Sequence, residues 1–451
     1  MTATRRLVGV LLYVSLGVAP PAGADVITDW NTTLLATIAA APPGAGPSRI
    51  IDITVVHIAM HDAVQAIQQR FETYSPGITP ASGSVIAAVS KAARDVLVNR
   101  FPEQTASLDA TYQAYLTSHL LTPDDPGVAA GAQAAAAIIQ GRVGDGYNPV
   151  PPPAFFGGTG VGQWRPTVVN AAGQPAPMAA SYLANTKTFV VETPWQFFSG
   201  TPPQVTSRQY TEEYNEVKAL GRNVGSTRTP EQTALATFYS DNALNYWNRT
   251  LRMLADRYIT DAGDSARMFA LVNIALADAA ITSWSSKIQW NFWRPVTAIQ
   301  LGDSDGNRRT AGDPTWQPLF ATPNYPDYTS GANALGGAAT EMLRMFFRTD
   351  RVAFSMIGAN GNRDYTAFSD VGNDIVEARM LMGIHFRFAD VIGRSSGQSV
   401  GRWVYRYSLR SLDDSDESEF VEHLDTFEEI GPVKGIVEGL DDDDAERPWD
   451  R

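Results

Sequence analysis

The chain has 451 residues, with 35 lysines and arginines against 48 aspartates and glutamates, a formal charge of -13 and no cysteine. Disulfides, thiolate metal ligands and cysteine nucleophiles are excluded, so stability rests on a packed core, which a chain of this length can make large. The negative balance, with no cluster of lysine and arginine interleaved with aromatics, argues against nucleic acid as a partner.

The first element reads as an export signal. Arg5 and Arg6 precede an apolar run over 7–18, and Pro20, Pro21, Ala22, Gly23 and Ala24 follow. Charge, a short apolar stretch and small residues are the layout of a secretory signal, so residues 1–24 are expected to be removed and the mature protein to be periplasmic or secreted. The run is too short to span a bilayer, and a buried N-terminal helix is the competing reading. The alanine-rich stretches over 128–139 and 269–281 are brief or interrupted by polar residues, so no membrane span is expected after cleavage.

Apolar residues at helical spacing, including Val55, Ile58, Ala59, Ala63 and Ile67, predict a first core helix over 51–71. Helical stretches follow at about 83–99, 103–119 and 126–141. Between 148 and 203 the chain changes character, with Pro151, Pro152, Pro153, Gly157, Gly158, Gly160, Gly162, Pro166, Pro175 and Pro177. Such a length without periodicity is either a domain boundary or an ordered loop that lids a pocket. Phe155, Phe156, Trp164, Trp195, Phe197 and Phe198 favour the loop, because a linker would be poor in aromatics.

Helical signal returns at about 208–221, 229–241, 244–256, 262–289, 331–347 and 370–384, with a polar connection over 302–328. Few segments alternate strictly between apolar and polar residues, so sheet content should be low. The expectation is an all-α domain of two neighbouring bundles over 25–410, with long Pro/Gly-rich loops and an acidic tail over 411–451. That tail lacks the spaced ligands and turn glycine of a calcium loop, and reads as solvated.

Three short pieces can carry chemistry. Lys287 and Arg294 are seven residues apart, about two helical turns, which returns both side chains to nearly the same face, and Pro295 opposes continuation of the helix. Beside Trp284, Trp290 and Trp293 they are either a binding pair or a snorkelling surface pair. Next, Pro323-Asn324-Tyr325-Pro326-Asp327-Tyr328-Thr329-Ser330-Gly331-Ala332-Asn333 leads into an apolar helical pattern. Ser330 can donate a hydroxyl and Gly331 lets a backbone N–H approach an anion at a helix mouth, although an ordinary helix cap has the same appearance. Finally, Arg379 and His385 are six residues apart, and converge only if the helix bends or ends near Gly383. A core histidine held by a hydrogen bond is the alternative for His385.

In series these pieces resemble the vanadium-dependent haloperoxidases and their relatives, the type 2 phosphatidic-acid phosphatases. Lys287-Ile-Gln-Trp-Asn-Phe-Trp-Arg294-Pro295 is similar to the Lys, six residues, Arg-Pro motif. Ser330-Gly331 is similar to the centre of Pro-Ser-Gly-His, and Arg379 with His385 to the last motif. The wording over 57–64, 163–167 and 292–299 looks similar too, so the resemblance covers about 28–406.

The resemblance implies a helix-bundle enzyme with vanadate as cofactor, or phosphate in the same site. His385 would bond the vanadium. Lys287, Arg294 and Arg379 would neutralise the equatorial oxygens, aided by Ser330 and the Gly331 N–H. Hydrogen peroxide and a halide, or a small organic acceptor, would be the reactants. Trp284 and Tyr325 fall where the family has aromatics near the halide.

Two departures bear on turnover. The histidine of Pro-Ser-Gly-His is Ala332 here, and the adjacent Asn333 can donate a hydrogen bond but cannot exchange a proton near neutral pH. The aspartate expected at 389 is alanine, and Asp390 follows one residue later, where it is expected to orient the imidazole. Oxidation of bromide or iodide is the leading expectation. A phosphomonoester hydrolase with His385 as nucleophile, and a catalytically weakened phosphate- or vanadate-binding homologue, stay open.

Overall fold

The fold is that of a computed structural model, which describes residues 25–42, 46–197 and 200–413. The expected signal over 1–24, Phe198 and the acidic tail from 414 onward lie outside the described residues. The protein is almost entirely helical, as its periodicity predicts. An unexpected helix, α1 (Val26–Ala40), comes first; Asp25 caps it by accepting from the Ile27 N–H at 3.1 Å. Then come α2 (Ile50–Gln68), α3 (Val85–Arg100), α4 (Thr105–Ser118) and α5 (Pro126–Gly141). Ser84 and Asp125 cap α3 and α5.

The second half holds α6 (Arg208–Leu220), α7 (Pro230–Phe238), α8 (Ala243–Tyr258), α9 (Ala262–Trp290), α10 (Pro295–Gln300), α11 (Gly331–Phe346), α12 (Phe368–Leu381) and α13 (Arg387–Tyr407). One antiparallel hairpin, β1 (Phe354–Gly358) with β2 (Gly361–Tyr365), is the sheet found among the described residues.

Every residue of α9 from Gly263 to Lys287 is buried. It is the shared wall of the two expected bundles, packing on α2 and on α11 and α13. Two helices, Pro47–Gln68 and Ala262–Trp290, are long and apolar enough to cross a membrane; their apolar windows are 94% and 100% buried inside the fold, as core helices are.

The α11–α13 contact is set by glycine. Gly393, Gly397 and Gly401 recur every fourth residue on α13, on one face. A Cβ on Gly393 would meet Ser330 O at 2.6 Å, one on Gly401 would meet Ala338 O at 2.9 Å, and one on Gly397 would strike Ala334 O. Backbone therefore lies on backbone, and the first turn of α13 is held against the start of α11.

The segment over 148–203 is an ordered cover. Trp164 N–H donates to Asn291 O at 2.7 Å and Trp293 N–H to Gly162 O at 2.9 Å. Asn324 donates to Pro177 O at 2.8 Å, and Ala179 N–H to Asn324 O at 2.9 Å. From α9, Asp278 accepts from the N–H groups of Phe189, Val190 and Val191 at 2.7, 2.8 and 2.9 Å. At the other end, Leu412 N–H donates to Arg70 O at 2.9 Å, so ordered pairing runs two residues past the expected boundary at 410.

Candidate oxyanion site

Lys287 and Arg294 do not share one helical face. α9 ends at Trp290, and Asn291 takes a left-handed conformation (φ 46°). Lys287 thus lies in the last turn of α9, while Arg294 is the residue before α10, with Pro295 as the first helical residue. The two cations converge because the chain breaks between them. Both are fully buried, which removes the snorkelling reading.

Lys287 Nζ donates to the carbonyls of Pro326, Asp327 and Thr329 at 2.8, 3.0 and 2.6 Å. All three of its N–H donors are spent on the loop before α11, which leaves it to act on an anion through charge. Arg294 Nε donates to Tyr325 O at 2.7 Å and Nη1 to Ile384 O at 2.6 Å, whereas Nη2 is buried without a partner. The Tyr325 ring lies under both cations, 5.0 Å from Lys287 Nζ and 4.8 Å from the Arg294 guanidinium carbon. Trp284 packs against it at 4.9 Å and is anchored by its Nε1–H to Ala179 O at 3.1 Å.

Ser330 precedes α11 but its side chain does not cap it. Instead Asn333 Nδ2 donates to Ser330 Oγ at 3.3 Å and to Asp390 Oδ1 at 2.8 Å. Gly331 is required by a wall: a Cβ there would sit 2.8 Å from the Trp284 ring. Ala332 is half-buried on the next position.

α12 ends at Leu381 and Gly383 turns the chain with φ +77°, so Arg379 and His385 are freed from a common helix, as convergence requires. Arg379 donates weakly to Met382 Sδ at 3.5 Å, and its Nε is buried without a hydrogen-bond partner. His385 is fully buried. Its Nε2 faces Arg294 Nη1 at 3.0 Å, and its Nδ1 lies 2.8 Å from Asp327 Oδ1. That approach is close but not aligned as a hydrogen bond, since both Asp327 oxygens lack a hydrogen-bond partner. Arg294 Nη1 also reaches Nδ1, at 3.3 Å, so the carboxylate beside Nδ1 is what favours the proton there and a lone pair on Nε2.

Two corrections follow. The carboxylate beside the imidazole is Asp327, which the sequence reading quoted without a role; Asp390, expected to orient His385, is bonded to Asn333. A signal for Asp327 is present in the sequence, since it is the single acidic residue of the stretch over 323–333 that holds Ser330-Gly331. His57 and His61, in the family-like stretch of α2, bond Asn31 and the Glu72 carbonyl at 2.9 and 3.0 Å and belong to the core.

The electrostatics favour an anion. Burial, then Arg294, pushes Lys287 well below its ordinary range. Burial, with Arg294, Lys287 and Arg379, keeps His385 neutral. Burial pushes Asp327 up to about 7, against the pull of Arg294 and Lys287. Arg294 Nη1 lies 3.6 Å from Asp327 Oδ1, and burial biases both Asp327 and Asp390 towards neutrality, so the basic side chains favour an added anion as counter-charge. Vanadate fits this set: His385 Nε2 offers a lone pair, Arg294 Nη2 an unspent donor, and the cations a balancing charge. Among the described residues no group of three His, Cys, Asp or Glu side chains is placed to hold a metal cation.

All these residues fall within 267–414, the range that matches the family model described as the VCPO second helical-bundle domain. Over 267–414 the chain is similar to the vanadium-dependent haloperoxidases. The vanadium chloroperoxidase of Curvularia inaequalis is 29% identical over 203 residues, spanning 38% of this chain and 32% of that protein. The match therefore reaches about a third of the length of that relative. Among solved structures, the first bacterial vanadium-dependent iodoperoxidase superposes with a TM-score of 0.72 at 21% identity, covering 87% of this chain and 97% of that one. An apo-type bacterial vanadium-dependent chloroperoxidase gives 0.64 at 18% identity, covering 87% and 94%. The haloperoxidase fold thus extends over nearly the whole chain.

Proposed function

We propose that this protein binds vanadate between Lys287, Arg294, Arg379 and His385, with Ser330 and the Gly331 N–H, and oxidises bromide or iodide with hydrogen peroxide. The observation that carries the reading is the buried, partnerless Arg294 Nη2 beside a neutral His385, within a group of three cations. Halide, hydrogen peroxide and a proton would give hypohalous acid and water. Bound vanadate would supply the Lewis-acidic centre that makes peroxide electrophilic toward halide. The Asp327 carboxyl beside Nδ1 favours the imidazole proton there and leaves Nε2 to bind. The cations offset negative charge, Trp284 and Tyr325 wall the site, and the 148–203 cover excludes water. Chloride is disfavoured because Ala332 supplies no proton. An export signal over 1–24 would place the activity in the periplasm or outside the cell.

The test is halogenation of a phenolic dye by purified protein with orthovanadate, hydrogen peroxide and bromide or iodide. Activity that needs vanadate, is inhibited by phosphate and vanishes in His385→Ala is expected. Vanadate-independent phosphomonoester hydrolysis that needs His385 points instead to the phosphatase. Oxyanion binding with neither activity points to a binding homologue.

A further inference from the structure

The glycine row of α13 delivers Asp390 to the mouth of α11, and the contacts there are incomplete. Ser330 N–H donates to Ala389 O at 3.0 Å, which fixes the two helix starts to each other. Asp390 and Asn333 are at most 1% exposed. One carboxyl oxygen of Asp390 accepts from Asn333 at 2.8 Å; the other, Oδ2, is buried with no partner, and so is Asn333 Oδ1. The carboxyl lies within the electrostatic reach of Lys287 and Arg294. A buried polar atom left unpaired costs as much as a lost hydrogen bond or more, so a ligand that completes it gains that much.

We propose that Asp390, in its acid form, is an oxyanion-binding residue whose Oδ2–H donates to an oxygen of the bound oxyanion, while Asn333 holds its Oδ1. The role rests on the oxyanion reading above and deepens it: the site takes a compact tetrahedral oxyanion through a neutral carboxylic acid on the Ser330 side and through guanidinium on the Arg294 side. A neutral acid at this position satisfies the orphan oxygen and adds a donor without adding a negative charge, which an ionised carboxylate would do. Burial pushes the Asp390 carboxyl well above its ordinary range, opposed by the neighbouring Ser330 hydroxyl, which is close but not aligned as a hydrogen bond, by the charge of Arg379 and by the Asn333 amide. Asp327 pushes the same way as burial. The other acids near the start of α13 are engaged: Glu213 by the Phe388 N–H, and Glu216 and Glu377 by Arg387. Asp390 alone on that turn keeps an oxygen to offer.

The experiment measures affinity for sulfate, whose charge is constant over the range, and for phosphate, by titration calorimetry between about pH 5 and pH 9. Parent protein, Asp390→Asn and Asp390→Ala are compared, with circular dichroism as the fold control. An amide keeps a donor but cannot ionise, so Asp390→Asn is expected to bind sulfate near the parent affinity at low pH. It should also lose less affinity than the parent as pH rises. Asp390→Ala is expected to bind about tenfold more weakly at low pH, the worth of one hydrogen bond. Folded Asp390→Ala with parental affinity, or Asp390→Asn with the parental pH profile, overturns the role of Asp390 alone. If Asp390→Ala does not fold, the Asp390→Asn profile decides. If the folded parent binds neither oxyanion, the site reading falls and this inference falls with it.

Discussion

Asp327 and His385 face each other inside the protein, carboxylate Oδ1 2.8 Å from imidazole Nδ1, with side-chain exposures of 0% and 1%. The pair links the loop before α11 to the linker before α13, so it joins two motifs that are 58 positions apart in the chain. Its protonation is a stability question as well as a chemical one. Burial raises Asp327 from 3.8 to about 7. A carboxyl group raised in the folded state contributes stability that is present below its unfolded pKa and lost as pH rises through the folded one. Asp327→Asn is therefore expected to gain thermal stability relative to the parent as pH goes from about 4 to about 7. Scanning calorimetry at stepped pH checks this; a constant difference in melting temperature counts against it.

Lys287 closes the turn over 326–329 with three hydrogen bonds. Lys287→Met keeps the aliphatic stem and strands three carbonyls, at a cost of about 3 kcal/mol. Urea unfolding of the vanadate-free protein should show a lower midpoint, and phosphate affinity should drop as well. An unchanged midpoint would mean that the turn does not depend on the ammonium.

Gly331→Ala puts a methyl 2.8 Å from the Trp284 ring. Overpacking of this kind costs about 1–3 kcal/mol and should move the indole, which near-ultraviolet circular dichroism and tryptophan fluorescence would register. Parental spectra and stability would show that the ring has room to give.

Ala332→His installs a proton-exchanging side chain at a half-buried position one residue beyond Gly331. Bromide oxidation by vanadate-loaded protein is expected to rise, by about tenfold to a hundredfold if the imidazole reaches the oxyanion. Steady-state rates set the answer, and a folded variant with no gain argues that the Asn333 side of the site already supplies the donor.

For export, mass determination of the protein from its native host should give an N-terminus at Asp25. That residue caps α1, so trimming beyond it would remove a cap worth about 1 kcal/mol. An intact Met1 in native material rejects export by this signal.

Helix periodicity carried most of the architecture, because α2 to α9 are built of apolar residues at helical spacing. α13 escaped the same reading: Gly393, Ser395, Ser396, Gly397, Ser399 and Gly401 are poor helix formers, and what makes them helical is the close approach to α11, a tertiary fact. α1 is hidden in the sequence by its threonines and by its nearness to the stretch that reads as a signal. Among site residues, the cations and His385 were legible from spacing to a family motif. The seven-residue spacing of Lys287 and Arg294 predicts a shared helical face, whereas the left-handed Asn291 ends the helix between them and brings them together across the break. Asp327 and the Asn333–Asp390 contact depend on loops whose course no local pattern encodes.

The cover and the cradle share backbone. Gln163 pairs with Phe292, Trp164 N–H holds Asn291 O, and Trp293 N–H holds Gly162 O, so the same short ladder that seats the cover also shapes the link between α9 and α10. For anyone re-engineering access to the site, the cover is not an interchangeable part. Grafting a different loop over 148–203 transplants the mount of Arg294 along with the entrance, and a graft that keeps 162–164 together with the anchors at 177–179 and 189–191 should preserve oxyanion affinity better than one that replaces them.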